Sequence, residues 1–152
     1  MIESSLKACF SDPIVQFSIH TENKVGRLSE LIHLLDQHHI HIMALTTVDT
    51  TDNTILRIVV DCIEEARLLL HKHTFFFSEC EVLGVEMPDP SHLKNITRAL
   101  LQAEINIHYT YPFLTRPKEK IAIILGVEDH YTATDVLQKN HIPVLTQADI
   151  TR

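Results

Sequence analysis

The chain has 152 residues, enough for one average domain or two small ones near the lower limit of independent stability. Its 45% hydrophobic content, mean hydropathy of +0.04 and three glycines describe an ordinary globular sequence without low-complexity tracts. A net charge of −7 with no basic cluster opposes binding to nucleic acid or anionic lipid, and the longest apolar runs, such as Ile121 to Val127, fall far short of the roughly 20 residues that cross a bilayer.

A soluble protein is therefore expected, with no nucleic-acid or membrane partner. The N-terminal stretch carries Glu3 and Asp12 and has no apolar core of a secretory signal, while Cys9, Cys62 and Cys80 are odd in number with no C-x-x-C pair. Both features point to reduced thiols and the cytoplasm.

Residues 1–12 are polar and end in Ser-Asp-Pro, where Pro13 disfavours helix at Asp12, so they read as an N-terminal extension. From Ile14 a strand begins, with Val15, Phe17 and Ile19 directed to a core and Ile14, Gln16, Ser18 and His20 alternating against them. The segment Asn23-Lys24-Val25-Gly26-Arg27-Leu28 then opens a helix. Asn23 can cap it, Gly26 permits close backbone approach, and Leu28, Leu31, Ile32 and Leu35 fall at i, i+3, i+4 and i+7. A helix start of this kind turns unpaired N–H groups and the positive dipole end toward the preceding space, a cradle for a carboxylate; the plainer alternative is a tight turn. Lys24 and Arg27 add positive charge there, on side chains that equally suit a solvated loop.

A second strand follows from Ile40, then an Asx-rich turn over 49–53 and a β-branched strand from Thr54 to Val60. Asp61 and Glu64 have the spacing of a capping box for a helix over about 62–72, with Ile63, Ala66, Leu69 and Leu70 as its buried stripe. Phe75 to Met87 reads as one or two strands around Gly84, completing the order βαββαβ. An offset of 65 residues then lays Leu28 on Leu93, Leu31 on Ile96, Leu35 on Leu100, Ile40 on Ile105 and Ile42 on Ile107. Further on the offset is 67, with Ala66, Leu69, Leu70 and Lys72 on Ala133, Val136, Leu137 and Lys139; the extra residues fit a longer hairpin at Arg116-Pro-Lys-Glu. The second half reads as strand 82–87, helix 91–103, strands 105–114 and 119–127, helix 131–139 and strand 142–149.

The expected fold class is α+β: two ferredoxin-like βαββαβ units, over 13–80 and 81–152, each an antiparallel four-stranded sheet with two helices on one face. Each unit leaves its other sheet face bare. Both would be marginal alone, so joined sheets or packed helices should unite them.

The strand followed by Asn23-Lys24-Val25-Gly26-Arg27-Leu28, the helix and Ile40-His41-Ile42 resembles the signature of ACT domains, and Ile105-Asn106-Ile107 repeats its ending. Coverage runs from about Ile14 to Ile150, and the whole is most similar to stand-alone proteins of two tandem ACT domains. The resemblance implies a regulatory protein that binds an amino acid or similar metabolite where domains or subunits meet, as a homodimer, with no catalysis and no cofactor. It implies ligand-holding residues at Asn23, Lys24, Val25, Gly26, Arg27 and Leu28, and again at Asp89, Pro90, Ser91, His92 and Leu93. Val25 stands where the family commonly has Pro, whereas the second loop keeps Pro90 and has Ser91 in place of Gly. Asp89 or Ser91 is also a natural N-cap, so the first loop is expected to be the better site.

Other constellations carry less. His38, His39, His41, His71 and His73 sit near predicted helix C-termini, where they suit the dipole, and match no zinc spacing. Tyr109, Tyr111 and Phe113 alternate on one strand face, as a ligand platform or as packing. Phe75, Phe76 and Phe77 cannot all point inward, so one should meet the other half or another chain. No G-x-S-x-G, P-loop or Rossmann glycine pattern is present. The alternative to a sensor is a subunit that docks on and regulates an amino-acid metabolic enzyme, as the ACT-containing regulatory subunits of acetolactate synthase do.

Overall fold

A computed structural model of the chain describes residues 12–22 and 26–151. The first unit contains β1 (Ile14–Glu22), α1 (Arg27–Gln37), β2 (Ile42–Asp49), β3 (Asn53–Val60) and α2 (Ile63–Lys72), and leads into β4 (Phe76–Met87). After a 3-10 turn at Pro90–His92 come α3 (Leu93–Gln102), β5 (Ile107–Pro112), β6 (Ile121–Val127), α4 (His130–Lys139), β7 (Val144–Leu145) and a short α5 (Gln147–Ile150). The last segment departs from the expected strand over 142–149, because Thr146 and Asp149 form a reciprocal capping box that starts a helix.

All strand pairs are antiparallel, in the order β2-β3-β1-β4-β6-β5 with β7 also on β4. The region expected as one or two strands is a single uninterrupted one from Phe76 to Met87. Its first part, Phe76 to Val82, pairs with β1; its second part, Leu83 to Met87, pairs with β6, and Gly84 and Val85 also pair with β7. β4 thus closes the first βαββαβ unit and opens the second. A single bridge between Ala44 and Phe113, with the Leu114 N–H donating to the Met43 carbonyl at 2.8 Å, also brings the two outer ends of the sheet together.

Three apolar clusters hold this arrangement. Phe17, Ile19, Leu31, Leu35, Ile58 and Leu70 fill the space between α1, α2 and the first half of the sheet, and Leu83, Val85, Ile96, Leu100, Leu125 and Leu137 fill the matching space in the second. The third cluster, with Ile14, Met43, Val59, Val82, Tyr111, Phe113 and Ile124, lies where the two sheet faces without helices meet. Neither back face is bare, contrary to expectation: each covers the other. Gln16, expected to point away from a core, is fully buried there, whereas Val15 is only half-buried. Its amide donates to Tyr109 Oη at 2.9 Å and its Oε1 accepts the Tyr111 hydroxyl at 2.5 Å, so the polar side chain is matched across the interface. Burial pushes the Tyr111 hydroxyl pKa well above its ordinary value.

The four long helices end alike. His39, Thr74, Glu104 and His141 adopt φ values of 57°, 55°, 57° and 59°. The next N–H returns to a leucine carbonyl five residues back: Ile40 to Leu35, Phe75 to Leu70, Ile105 to Leu100 and Ile142 to Leu137, at 2.9–3.0 Å. Each exit therefore drops an apolar residue beside the helix it leaves.

Asp61 does not cap α2. Cys62 holds the cap position without a side-chain bond, and buried Asp61 instead grips His41, accepting its backbone N–H at 2.9 Å and lying 2.7 Å from its Nδ1. Two partners satisfy both oxygens of a buried carboxylate, which a single cap bond could not. The α1 stripe is also narrower than expected: Leu31 and Leu35 are fully buried, while Leu28 and Ile32 remain 37% and 38% exposed.

Candidate functional site

At the first turn, Gly26 precedes α1 in the left-handed region, at φ 93° and ψ −9°. A Cβ there would meet nothing within 4 Å, so the backbone angle, not close approach, calls for glycine. Arg27 is occupied by its neighbours: Nη1 lies 2.9 Å from Glu30 Oε2, and the guanidinium stands 4.9 Å from the centre of the Phe75 ring. Asn23, Lys24 and Val25 lie outside the described residues.

At the second turn the loop closes on itself. Asp89 accepts the Ser91 N–H at 2.8 Å and also the Ser91 hydroxyl, which hold its carboxyl below the usual range. His92 Nδ1 lies 3.5 Å from the same Asp89 oxygen. Pro90 supplies the first position of the 3-10 turn, and Leu93, the counterpart of Leu28, is partly exposed. The amide expected to receive a ligand carboxylate is thus already bonded to the chain's own Asp89.

Beside this closed loop is an open cleft of about 330 Å³. The end of β4, the start of α3, the residue before β6 and the exit from α4 bound it. Met87, Ile96 and Ile142 give it apolar walls, and Glu86, Lys120, Asn95 and Asn140 bring polar groups. Pro88 and His92 are the second-turn residues that reach it. Glu86 is only 8% exposed, and its Oε2 is buried with no hydrogen-bond partner among the described residues. Its Oε1 is 3.9 Å from Lys120 Nζ, beyond hydrogen-bond reach. A buried acid with a free oxygen, a nearby ammonium and apolar walls suit a small molecule carrying both signs of charge.

Sequence reasoning did not single out Glu86, Lys120, Asn95 or Asn140. Glu86 carried a signal, being the one charged residue in Val82-Leu-Gly-Val-Glu-Met87. A wider trough of about 640 Å³ between α2 and α5 includes Asp61, whose oxygens are already taken by His41. The Tyr109 and Tyr111 rings stack 6.3 Å apart within the inter-sheet contact, and the Arg57 guanidinium lies 4.0 Å from the Tyr109 ring centre. Among the described residues no group of three or more His, Cys, Asp or Glu side chains is placed to hold a metal ion, and no helix is long and apolar enough to cross a membrane.

Over residues 13–152 the chain matches the family model of an ACT domain pair. Among solved structures it is similar to protein BT0572 from Bacteroides thetaiotaomicron, with 25% identity, a TM-score of 0.82, and coverage of 90% of this chain and 94% of that one. Its fold is also that of the regulatory subunit of aspartate kinase from Thermus thermophilus, at 13% identity and TM-score 0.59 over 85% of this chain and 91% of that one. The corresponding subunit from Thermus flavus gives 14% identity and TM-score 0.60 over 86% and 92%. No curated protein matches the sequence. With two βαββαβ units sharing β4 and a family match that spans nearly all of its length, the chain belongs to the ACT domain pair family.

Proposed function

We propose that this protein is a non-catalytic regulatory sensor that binds a free amino acid. Residues 13–80 and 81–152 form its two units, and it works in the cytoplasm as a homodimer. The observation that carries this reading is the cleft at the second strand-turn-helix junction, which combines apolar walls with Glu86 and Lys120 in a volume of about 330 Å³. Of the residues the resemblance implicates, His92 borders this cleft; Asp89 and Ser91 shape the loop beside it, and Gly26, Arg27 and Leu28 form the corresponding corner of the first unit. Metabolite sensing at micromolar to millimolar levels needs only about 4 to 8 kcal/mol, within reach of a few polar contacts and one apolar pocket.

The test is a thermal-shift screen of the purified protein against the common amino acids. A ligand that binds only the folded state raises the melting temperature, by an amount that grows with its concentration. A shift with one or two amino acids is expected. No shift with any would transfer the function to the docking reading, in which the protein regulates a separate enzyme. That reading draws on Phe76, 76% exposed at the start of a strand segment that pairs on one side only among the described residues.

A further inference from the structure

We infer that Glu86 and Lys120 form a two-point receptor for a zwitterion, Glu86 taking the ammonium and Lys120 the carboxylate of an amino acid with an aliphatic side chain. This rests on the sensor reading and names the chemistry of its site. The placement of the charges carries it. Glu86 lines the cleft, its Oε2 is buried with no hydrogen-bond partner among the described residues, and Lys120 Nζ stands 3.9 Å from the other oxygen. A lysine that served only to neutralise Glu86 would gain by closing that distance to hydrogen-bond length. At its present distance neither group is saturated by the other, and a molecule seated beside the pair can bond to both.

The loop cannot supply the carboxylate site, because Asp89 occupies the Ser91 amide and hydroxyl. Lys120 is therefore the cation available for an anionic group. The rest of the wall selects the side chain. Met87, Ile96 and Ile142 offer apolar surface, and apart from Glu86 and Lys120 the titratable lining consists of His92 and His141. The corresponding position in the first unit, at the offset of 65, is Thr21, whose hydroxyl lies 3.5 Å from the Thr54 carbonyl; the receptor is particular to the second unit.

Isothermal titration calorimetry with L-leucine, L-isoleucine, L-valine and L-methionine tests this, with 4-methylpentanoate and 3-methylbutan-1-amine as one-charge analogues of leucine. The wild type is expected to bind at least one of the four amino acids and neither analogue. Glu86→Gln should weaken that binding by about tenfold or more, the scale of a lost charged hydrogen bond. Glu86→Asp, which keeps the charge but withdraws it by one methylene, should fall between, and Lys120→Met should also weaken binding. Melting curves of the free variants establish that each is folded. An amino acid that binds Glu86→Gln and Glu86→Asp as tightly as wild type would overturn the receptor while leaving the sensor in place. An analogue that binds as well as its amino acid would show that two charges are not required. Failure of all four to bind the wild type would overturn the receptor, whereas the sensor reading falls only if the thermal-shift screen finds no shift with any common amino acid.

Discussion

The two strand-turn-helix corners start from one sequence pattern and end as different objects. In the first, Phe75 follows α2 and is buried, and Arg27 lies across its ring. In the second, the equivalent residue after α4 is the half-buried Ile142, and His92 stands where Arg27 does. There a cleft of about 330 Å³ remains. The helix exits share one backbone, each with its left-handed residue, while the helix starts differ, left-handed Gly26 in the first standing against a 3-10 turn in the second. The size of the side chain dropped beside that exit, and what covers it, distinguish a packed corner from an open one. Duplication supplies the frame, and a few side-chain volumes assign the work.

That contrast can be broken most directly at the two exit residues. Phe75→Ala should cost about 3–5 kcal/mol, as for a buried aromatic, while Ile142→Ala should cost only about 1–2 kcal/mol because one side of Ile142 already faces the cleft. Urea unfolding of both variants measures this, and equal costs would mean that the second corner is packed as tightly as the first.

A smaller effect concerns the inter-sheet layer, where Gly126 occupies the position of Val59 at the offset of 67. A Cβ at Gly126 would overlap the Tyr109 ring. Gly126→Val is expected to destabilise by about 1–3 kcal/mol, the usual range for overpacking. Combining it with Tyr109→Ala should recover part of the loss in a double-mutant cycle. Simple additivity would show that the ring can move aside freely.

The smallest effect is a difference in acid response. Asp89 and Asp129 cap the helical starts of the second unit, and their carboxyls are held below the ordinary 3.8 by bonds from Ser91 and Thr132. Gly26 and Cys62 begin α1 and α2 with no side-chain cap. A depressed carboxyl contributes stability that is fully present above its unfolded pKa and drains as pH falls through the lower folded value. Protection of the amides at the starts of α3 and α4, measured relative to their intrinsic exchange rates, should therefore fall below about pH 4, with no matching change at α1 and α2. Asp89→Asn and Asp129→Asn should remove the pH dependence while keeping a competent cap.

The repeat was legible because it is local: apolar positions at helical spacing, with Leu35 and Ile40 recurring as Leu100 and Ile105 at a fixed offset. Those patterns place α1 to α4 and the strands between them. The back-to-back contact of the sheet faces was not legible, since it joins residues such as Gln16 and Tyr111, 95 positions apart. Seen locally, Gln16, Ser18 and His20 form the solvent side of a strand. Asp61 misled for a related reason, because its spacing to Glu64 suits a cap while its burial beside His41 demands two partners at once. At the candidate site the turns were found, but their neighbours were not. Glu86 lies on β4 and Lys120 just before β6, 34 residues apart in sequence, and only the β4–β6 pairing brings them to one cleft.

β4 gives the architecture a property that its symmetry conceals. Two domains joined by a tether can be cut apart, exchanged or permuted, each remaining whole. Here the seam runs through the middle of a hydrogen-bonded strand, between Val82 on β1 and Leu83 on β6. Severing it would leave each fragment with only its own half of β4, Phe76–Val82 or Leu83–Met87, and would uncover both sides of the layer that joins Ile14 and Val59 to Tyr111 and Ile124. The pair is thus the smallest heritable module, and its two corners can diverge in side chains without the option of separating.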